Sequence, residues 1–126
     1  MIVAGTRDLD RKQVDALLAA RLPKHGPNVI LSGRSGSVDL AGEAWAATHG
    51  VPVEIFNPDW KRLGRAAGPI RNEAMAMVAT HLFLLWDGKS RGSADMLRRA
   101  VKRGLPFIEW RVSRGYDEDA DVVAAT

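Results

Sequence analysis

The sequence contains no cysteine, which excludes disulfide frameworks, thiolate zinc sites and cysteine nucleophiles. It also lacks any apolar run near the roughly 20 residues that a membrane-spanning helix requires. At the start of the chain, no basic segment precedes an apolar core of the kind that marks a secretory signal. These absences favour a cytoplasmic protein without a membrane partner.

Positive charge is what the chain has in excess. The first 116 residues hold 18 basic and 11 acidic side chains, a net charge of +7, whereas four acidic residues fall in the last ten positions. This balance indicates an anionic partner, either a phosphate-bearing small molecule or a nucleic acid. The three histidines lack metal-ligand spacing, so we expect no metal ion, and nothing in the sequence indicates a cofactor.

Short apolar runs alternate with helical patterns along the chain. Leu82–Trp86 is unbroken and apolar, which is typical of a strand buried on both faces. Phe107–Val112 alternates apolar and charged residues, which predicts an edge strand. The whole pattern predicts one α/β domain over residues 1–112, with a mostly parallel five-stranded sheet between two helical layers. Residues 113–126 are expected to form an acidic C-terminal tail, mobile or docking late.

Periodicity also predicts how the helices are placed. Asp10 is expected to cap the first helix, together with Gln13. Residues 57–67 are expected to be a long irregular connection, and Pro69 to open the third helix. The expected inner faces are Leu40, Ala41, Ala44, Trp45 and Thr48 in the second helix, Ile70, Ala74, Met77 and Val78 in the third, and Met96, Leu97, Ala100 and Val101 in the last.

Glycine, arginine and hydroxyl side chains follow the strands of the predicted sheet, in segments 5–7, 32–37, 64–72 and 87–93. In a parallel α/β sheet the strand-to-helix loops lie at one carboxyl edge, where ligands usually bind. Arg71 stands in the first turn of a helix, where a cation opposes the helix dipole unless an anion is near. The segments therefore predict a site for a phosphate-bearing small molecule, although the common dinucleotide and Walker A glycine motifs are absent. Trp60 is open to two interpretations, a lid that stacks on a base or a cover for an apolar edge.

Four motifs carry a resemblance to a known family: residues 3–8, Ser32-Gly33 with Asp39, residues 64–72 and residues 86–93. Together they resemble the YspA-like branch of the SLOG superfamily. The resemblance implies a Rossmann-like domain that binds or senses a nucleotide or a nucleotide-derived molecule. Our first hypothesis is such a binding domain, in which Arg7, Arg71 and Arg91 hold phosphate and Asp87 or Asp39 accepts ribose hydroxyls. The ligand-binding residues expected on this basis are Gly5, Thr6, Arg7, Ser32, Gly33, Asp39, Arg65, Gly68, Arg71, Asn72, Asp87, Gly88, Arg91, Gly92 and Ser93.

The sequence leaves open whether the chain is an enzyme, and the comparison of catalytic positions argues against it. The related phosphoribohydrolases use an arginine early in the third helix and a glutamate shortly after a Gly-Thr pair. Arg71 matches the arginine, but Met96 occupies the glutamate position and Asp95 lies one residue earlier, about 100° around the helix. Arg71 and Asp95 are thus the catalytic candidates if the chain is an N-glycoside hydrolase acting on a nucleoside monophosphate.

A nucleic-acid-binding module is the second alternative. Its basis is the outward row of Arg98, Arg99, Lys102 and Arg103 on the last helix, for which a solvated helix face is the simpler interpretation. A homodimer is also left open, because apolar residues such as Trp110 fall on a predicted edge strand.

Overall fold

The computed structural model describes residues 1–112 and the backbone of a strand at 120–125. Across these residues, strands and helices alternate as the sequence predicts. The elements in chain order are β1 (Ile2–Gly5), α1 (Arg11–Arg21), β2 (Ile30–Ser32), α2 (Ser37–His49), β3 (Val53–Ile55), α3 (Trp60–Leu63), a 3₁₀ turn (Gly64–Ala66), α4 (Ala67–Val78), β4 (Leu82–Trp86), α5 (Arg91–Lys102), β5 (Phe107–Val112) and β6 (Ala120–Ala125).

The strands form one sheet in the order β3-β2-β1-β4-β5-β6. The first five run parallel, with β1 and β4 paired in the centre. This confirms the predicted Rossmann-like α/β architecture. It also places the loops after β1, β2 and β4 side by side at the carboxyl edge of the sheet.

The prediction that β5 is an edge strand is wrong, because β6 pairs with it in antiparallel register from Phe107 opposite Ala125 to Val112 opposite Ala120. The small and β-branched residues of β6 lie within the stretch that we expected to be an acidic tail, and they extend the predicted five-stranded sheet to six strands. Residues 113–119 and 126, the rest of that stretch, lie outside the described residues.

The sheet separates two apolar layers. Val3, Phe83 and Leu85 point to the side covered by α1 and α2, whereas Ile2 and Leu84 point to the side covered by α4 and α5. All five residues of β4 are buried, as expected for a strand with helices on both faces. The predicted N-terminus of α1 is confirmed, because the Asp10 carboxylate accepts a hydrogen bond from the Gln13 backbone N–H at 3.1 Å.

The predicted inner face of α4 is wrong. Ile70, Met77 and Val78 are half or more exposed, and the buried residues are Ala67, Gly68, Asn72, Met75 and Ala76. The helix carries apolar residues on two sides, and the side with Met75 and Ala76 packs in the apolar cluster that includes Ile2 and Leu84 of the sheet. Periodicity alone does not distinguish the two sides. The helix begins at Ala67, two residues before the predicted start at Pro69. Proline is tolerated at this position because the backbone N–H groups of a first turn have no acceptor within the helix.

Two further helices differ from expectation in the same way. In α2, Leu40, Ala44 and Thr48 are exposed, while Gly42 faces Val3 so closely that an added Cβ would lie 2.9 Å from the valine side chain. In α5, Met96 and Ala100 are buried but Val101 is exposed.

The expected irregular connection at 57–67 instead contains α3 and the 3₁₀ turn, with the Asp59 carboxylate capping α3.

Candidate functional site

A cavity of about 500 Å³ opens at the carboxyl edge, between the loops after β1, β2 and β4, the first turn of α5 and the part of α4 from Arg71 onward. Arg71 therefore lies in the second turn of α4 and not in the first turn that the sequence predicts. Its volume lies within the range of small-molecule sites. It brings together segments far apart in the sequence, as the strand-and-loop pattern predicts. Ten of the fifteen residues expected to bind a ligand line it: Gly5, Thr6, Arg7, Gly33, Asp39, Arg71, Asn72, Arg91, Gly92 and Ser93.

Five expected ligand-binding residues do not line this cavity. Arg65 lies exposed in the 3₁₀ turn, and Gly68 lies against the Trp60 ring. The Ser32 hydroxyl donates to Glu43 Oε2 of α2 at 2.7 Å. The remaining two, Asp87 and Gly88, belong to the turn that leads into α5.

That turn gives Asp87 a structural role. One oxygen of its carboxylate accepts hydrogen bonds from the backbone N–H groups of Lys89 and Ser90, at 2.9 and 2.8 Å. Gly88 has φ of +78°, a left-handed conformation that favours glycine. The loop after β4 is therefore shaped by its own residues before any ligand enters.

Hydrogen bonds hold the neighbouring loops together across the cavity. The Thr6 hydroxyl lies 2.9 Å from the Ser90 hydroxyl and accepts from the Asp87 backbone N–H at 3.1 Å. The Ser37 backbone N–H donates to the Arg7 carbonyl at 2.8 Å. At Gly36 an added Cβ would lie 2.4 Å from the Arg7 Cα, so only glycine allows the two backbones to approach this closely.

Arg71 and Asn72 connect three elements around the cavity. The Arg71 Nη1 donates to the Gly33 carbonyl at 2.6 Å and to the Ser35 hydroxyl at 2.9 Å, while its Nε donates to Asn72 Oδ1 at 2.9 Å. The Asn72 amide then donates to the Gly92 carbonyl and, at 2.9 Å, to Asp95 on α5. Most of the Arg71 guanidinium is thus used inside the protein, although the side chain still borders the cavity.

Asp95, which the sequence offers as a catalytic candidate, does not line the cavity. Its carboxylate accepts hydrogen bonds from Asn72, Arg98 and Arg99, and it is 7 % exposed. Desolvation opposes ionisation, but the hydrogen bonds from Arg99 and Asn72 prevail and hold the pKa of Asp95 below its usual value. Met96 occupies the cavity wall instead. The carboxylate is therefore an ionised structural group.

The predicted basic surface of α5 is largely neutralised. Arg98 and Arg99 pair with Asp95, and Arg99 and Arg103 pair with Glu73 of α4. These contacts join the two helices. They also agree with the simpler interpretation, in which this basic row is the solvated face of a helix.

Two other cations remain open to a ligand. Within the described residues, the guanidinium groups of Arg7 and Arg91 form no hydrogen bond or ion pair, and both side chains are exposed at the cavity. Arg7 lies 5.6 Å from the centre of the Trp60 ring. Arg34, by contrast, is bound to Glu43 at 2.9 Å and does not reach the cavity.

Two helix N-termini also meet at the cavity. α2 begins after Gly36 and α5 begins after Ser90, and neither helix has a side chain that caps its first turn within the described residues. The first backbone N–H groups of a helix attract anions, especially where no carboxylate or hydroxyl already accepts from them. Gly92 and Ser93 of the first turn of α5 lie in the cavity wall.

Asp39 introduces a negative group among these donors. It is 6 % exposed, and its Oδ2 accepts a hydrogen bond from the Ser35 backbone N–H at 2.7 Å. Burial raises the pKa of Asp39 to about 6, although the Ser35 hydrogen bond and the charge of Arg71 act in the opposite direction. The carboxyl group therefore takes up a proton near pH 6, well above the range of an ordinary aspartate.

Sequence reasoning missed Asp8, Met75 and Met96 as lining residues. Met75 stands four residues after Arg71, and Met96 three after Ser93, so each shares a helix face with a predicted site residue. That spacing was a usable signal for an apolar floor beneath the polar rim. No cluster of histidine, aspartate and glutamate suited to a metal ion occurs within the described part of the chain.

Comparison with known proteins gives one match. No curated protein and no solved structure matches the chain. Among the described residues, no helix is long and apolar enough to cross a membrane. The family model for the YspA, cpYpsA-related SLOG family matches residues 1–63, which include the loops after β1 and β2 that build one wall of the cavity. The chain belongs to the YspA, cpYpsA-related SLOG family.

Proposed function

We propose that the chain binds a nucleotide or a nucleotide-derived small molecule, and that phosphate is the group it holds. The observation that carries this proposal is that the open guanidinium groups of Arg7 and Arg91 lie at the same cavity as the N-termini of α2 and α5, neither of which has a side-chain cap within the described residues. Backbone N–H groups and arginine forks are the donors that proteins use for phosphate. Membership of the family agrees with a ligand of this class.

The rest of the cavity suits the remainder of such a molecule. Met75 and Met96 give an apolar floor, which a flat base can contact, and the Thr6, Ser90 and Ser93 hydroxyls lie along the rim. Mixed lining of this kind, apolar with a few fixed polar groups, is typical of sites for small organic ligands.

The alternatives have weaker support. A hydrolase acting through Asp95 requires a carboxylate that faces the substrate, and this carboxylate is held by Asn72 and two arginines. A nucleic-acid interface along α5 requires free cations, and three of the four side chains in the predicted basic row, those of Arg98, Arg99 and Arg103, are paired. Binding without turnover is therefore the function that the site supports best.

Calorimetry against AMP, ADP-ribose, NAD and cyclic nucleotides tests the proposal. Arg91→Ala is the informative variant, because Arg91 borders the cavity without a structural hydrogen bond among the described residues. Loss of a charged hydrogen bond to phosphate is expected to weaken binding on the order of 10- to 100-fold. Arg65→Ala is the matched control, since it removes an exposed arginine outside the cavity.

Equal affinity of the wild type, Arg91→Ala and Arg65→Ala would contradict the proposed phosphate contact. Absence of binding to every compound in the panel would contradict the proposed function itself. Chromatography of the AMP incubation for free adenine tests the hydrolase at the same time, and release of base would favour that alternative.

A further inference from the structure

Asp39 stands out because it is a buried carboxyl group in a cavity that is also lined by Arg7, Arg71 and Arg91. Its Oδ2 accepts from the Ser35 N–H, while its Oδ1 has no hydrogen-bond partner among the described residues. No arginine or lysine in the described chain lies within ion-pair distance of it. Yet the residue is buried and lines the same cavity as Arg7 and Arg71.

The charges around Asp39 come from several elements. Arg71 of α4 and Arg7 after β1 favour its ionised form, and Glu43 of its own helix disfavours it. Arg71 is occupied by Gly33 and Ser35, and Glu43 is held by Arg34. Asp8 also lines the cavity, so a second carboxyl group belongs to the surroundings of any bound anion.

A carboxylate and a bound anion repel each other because both are negatively charged, unless a proton is shared between them. A phosphate monoester can supply that proton, because its second pKa is about 6. Sulfate carries no proton near neutral pH, and a phosphodiester has none to share. A phosphate monoester, sulfate and a phosphodiester present similar acceptor oxygens, but only the monoester can share a proton with the Asp39 carboxyl group near neutral pH.

We propose, resting on the proposed function, that Asp39 selects a terminal phosphate monoester by sharing one proton with it, and that it disfavours sulfate and phosphodiesters. The proton lies between Asp39 Oδ1 and a phosphoryl oxygen, so no bond other than O–H changes and the pair carries one negative charge fewer. Burial that raises the pKa of Asp39 to about 6 brings its proton affinity close to that of the phosphate. The ligand class is then a nucleoside monophosphate or another monoester, rather than a cyclic nucleotide or a dinucleotide with an internal pyrophosphate.

The experiment compares matched anions on three proteins: the wild type, Asp39→Asn and Asp15→Asn. Inorganic phosphate is measured against sulfate, and AMP against 3′,5′-cyclic AMP, by calorimetry at pH 7 in two buffers of different ionisation enthalpy. The wild type is expected to prefer phosphate and AMP by about tenfold or more, and to take up protons on binding sulfate if it binds sulfate at all. Asp39→Asn is expected to reduce both preferences to about threefold or less, because its amide donates to any anionic oxygen.

Asp15→Asn is the control for net charge, since it makes the same substitution on the exposed face of α1, and it is expected to keep the wild-type preference. Equal binding of phosphate and sulfate by the wild type overturns this inference while leaving the proposed function in place. So does an unchanged preference in Asp39→Asn. Failure of the wild type to bind any of the four anions overturns this inference, and the proposed function falls with it only if ADP-ribose and NAD also fail to bind. The wild-type comparison stands even if Asp39→Asn does not fold.

Discussion

The buried carboxyl group of Asp39 also leads to a prediction about the free energy of unfolding, which can be tested without a ligand. Its pKa is about 6 in the folded protein, against 3.8 for an ordinary aspartate. At 1.36 kcal/mol per pKa unit, this difference of about 2.2 units means that holding the ionised group costs the folded state about 3 kcal/mol above pH 7. The substitution Asp39→Asn keeps an oxygen for the Ser35 N–H without a charge, so it is expected to stabilise the protein at neutral pH.

The sign of the pH dependence follows from proton binding. Because the folded-state pKa is raised, the folded protein holds this proton between about pH 4 and pH 6 while the unfolded chain has released it. The free energy of unfolding of the wild type therefore falls as the pH rises through that window, because the buried Asp39 carboxyl group ionises. Below the window Asp39 is protonated in both states, so it lowers the stability of the folded protein by nothing. The advantage of Asp39→Asn should be only about 0.5 kcal/mol at pH 4 and reach its maximum, at most about 3 kcal/mol, near pH 7.5.

Denaturant unfolding of both proteins from pH 4 to pH 8 measures the difference directly. In thermal unfolding the same gain corresponds to roughly 10 °C in Tm for a domain of this size. Asp15→Asn on the exposed face of α1 should change little at any pH. A variant that is destabilised at pH 7.5, or whose advantage is the same at pH 4 and pH 7.5, would refute the reasoning.

Three further predictions concern the framework of the site. Gly36→Ala should destabilise the protein by about 2 kcal/mol or more and weaken ligand binding, since its Cβ would meet the Arg7 backbone at 2.4 Å; a Tm equal to that of the wild type would contradict this. Glu109→Leu should cost about 1–3 kcal/mol in denaturant unfolding, because the buried Trp86 Nε1 loses its 2.6 Å acceptor, and Glu109→Gln should recover much of the loss. Asp10→Ala should cost about 1 kcal/mol through the loss of the α1 cap, with Asp10→Asn close to the wild type in the same measurement.

The convergence of the site loops could be predicted from the sequence because it depends on topology alone. Apolar runs alternating with helical patterns require a parallel sheet, and a parallel sheet places Gly5, Gly33 and Gly92 at one edge whatever the packing details. The local cap at Asp10 was equally accessible, since it depends on residues three apart.

The helix faces and the charge state of the site could not be predicted in this way. In α4, Met75 and Met77 are equally apolar, and Met75 is buried because it packs in the apolar cluster with Ile2 and Leu84 of the sheet. The pairing of Arg34 with Glu43 joins residues nine apart across a loop and a helix, which no periodic rule connects. The burial of Asp39 likewise depends on how α2 packs against the neighbouring loops.

Arg71 and Asn72 are adjacent in the chain and bind each other, but they also bind different walls of the cavity, Arg71 the loop after β2 and Asn72 the first turn of α5. A single turn of α4 therefore sets the width of the opening between those two walls. Sliding α4 along its axis would pull on both walls together, so the mouth of the cavity is expected to change its dimensions as one unit.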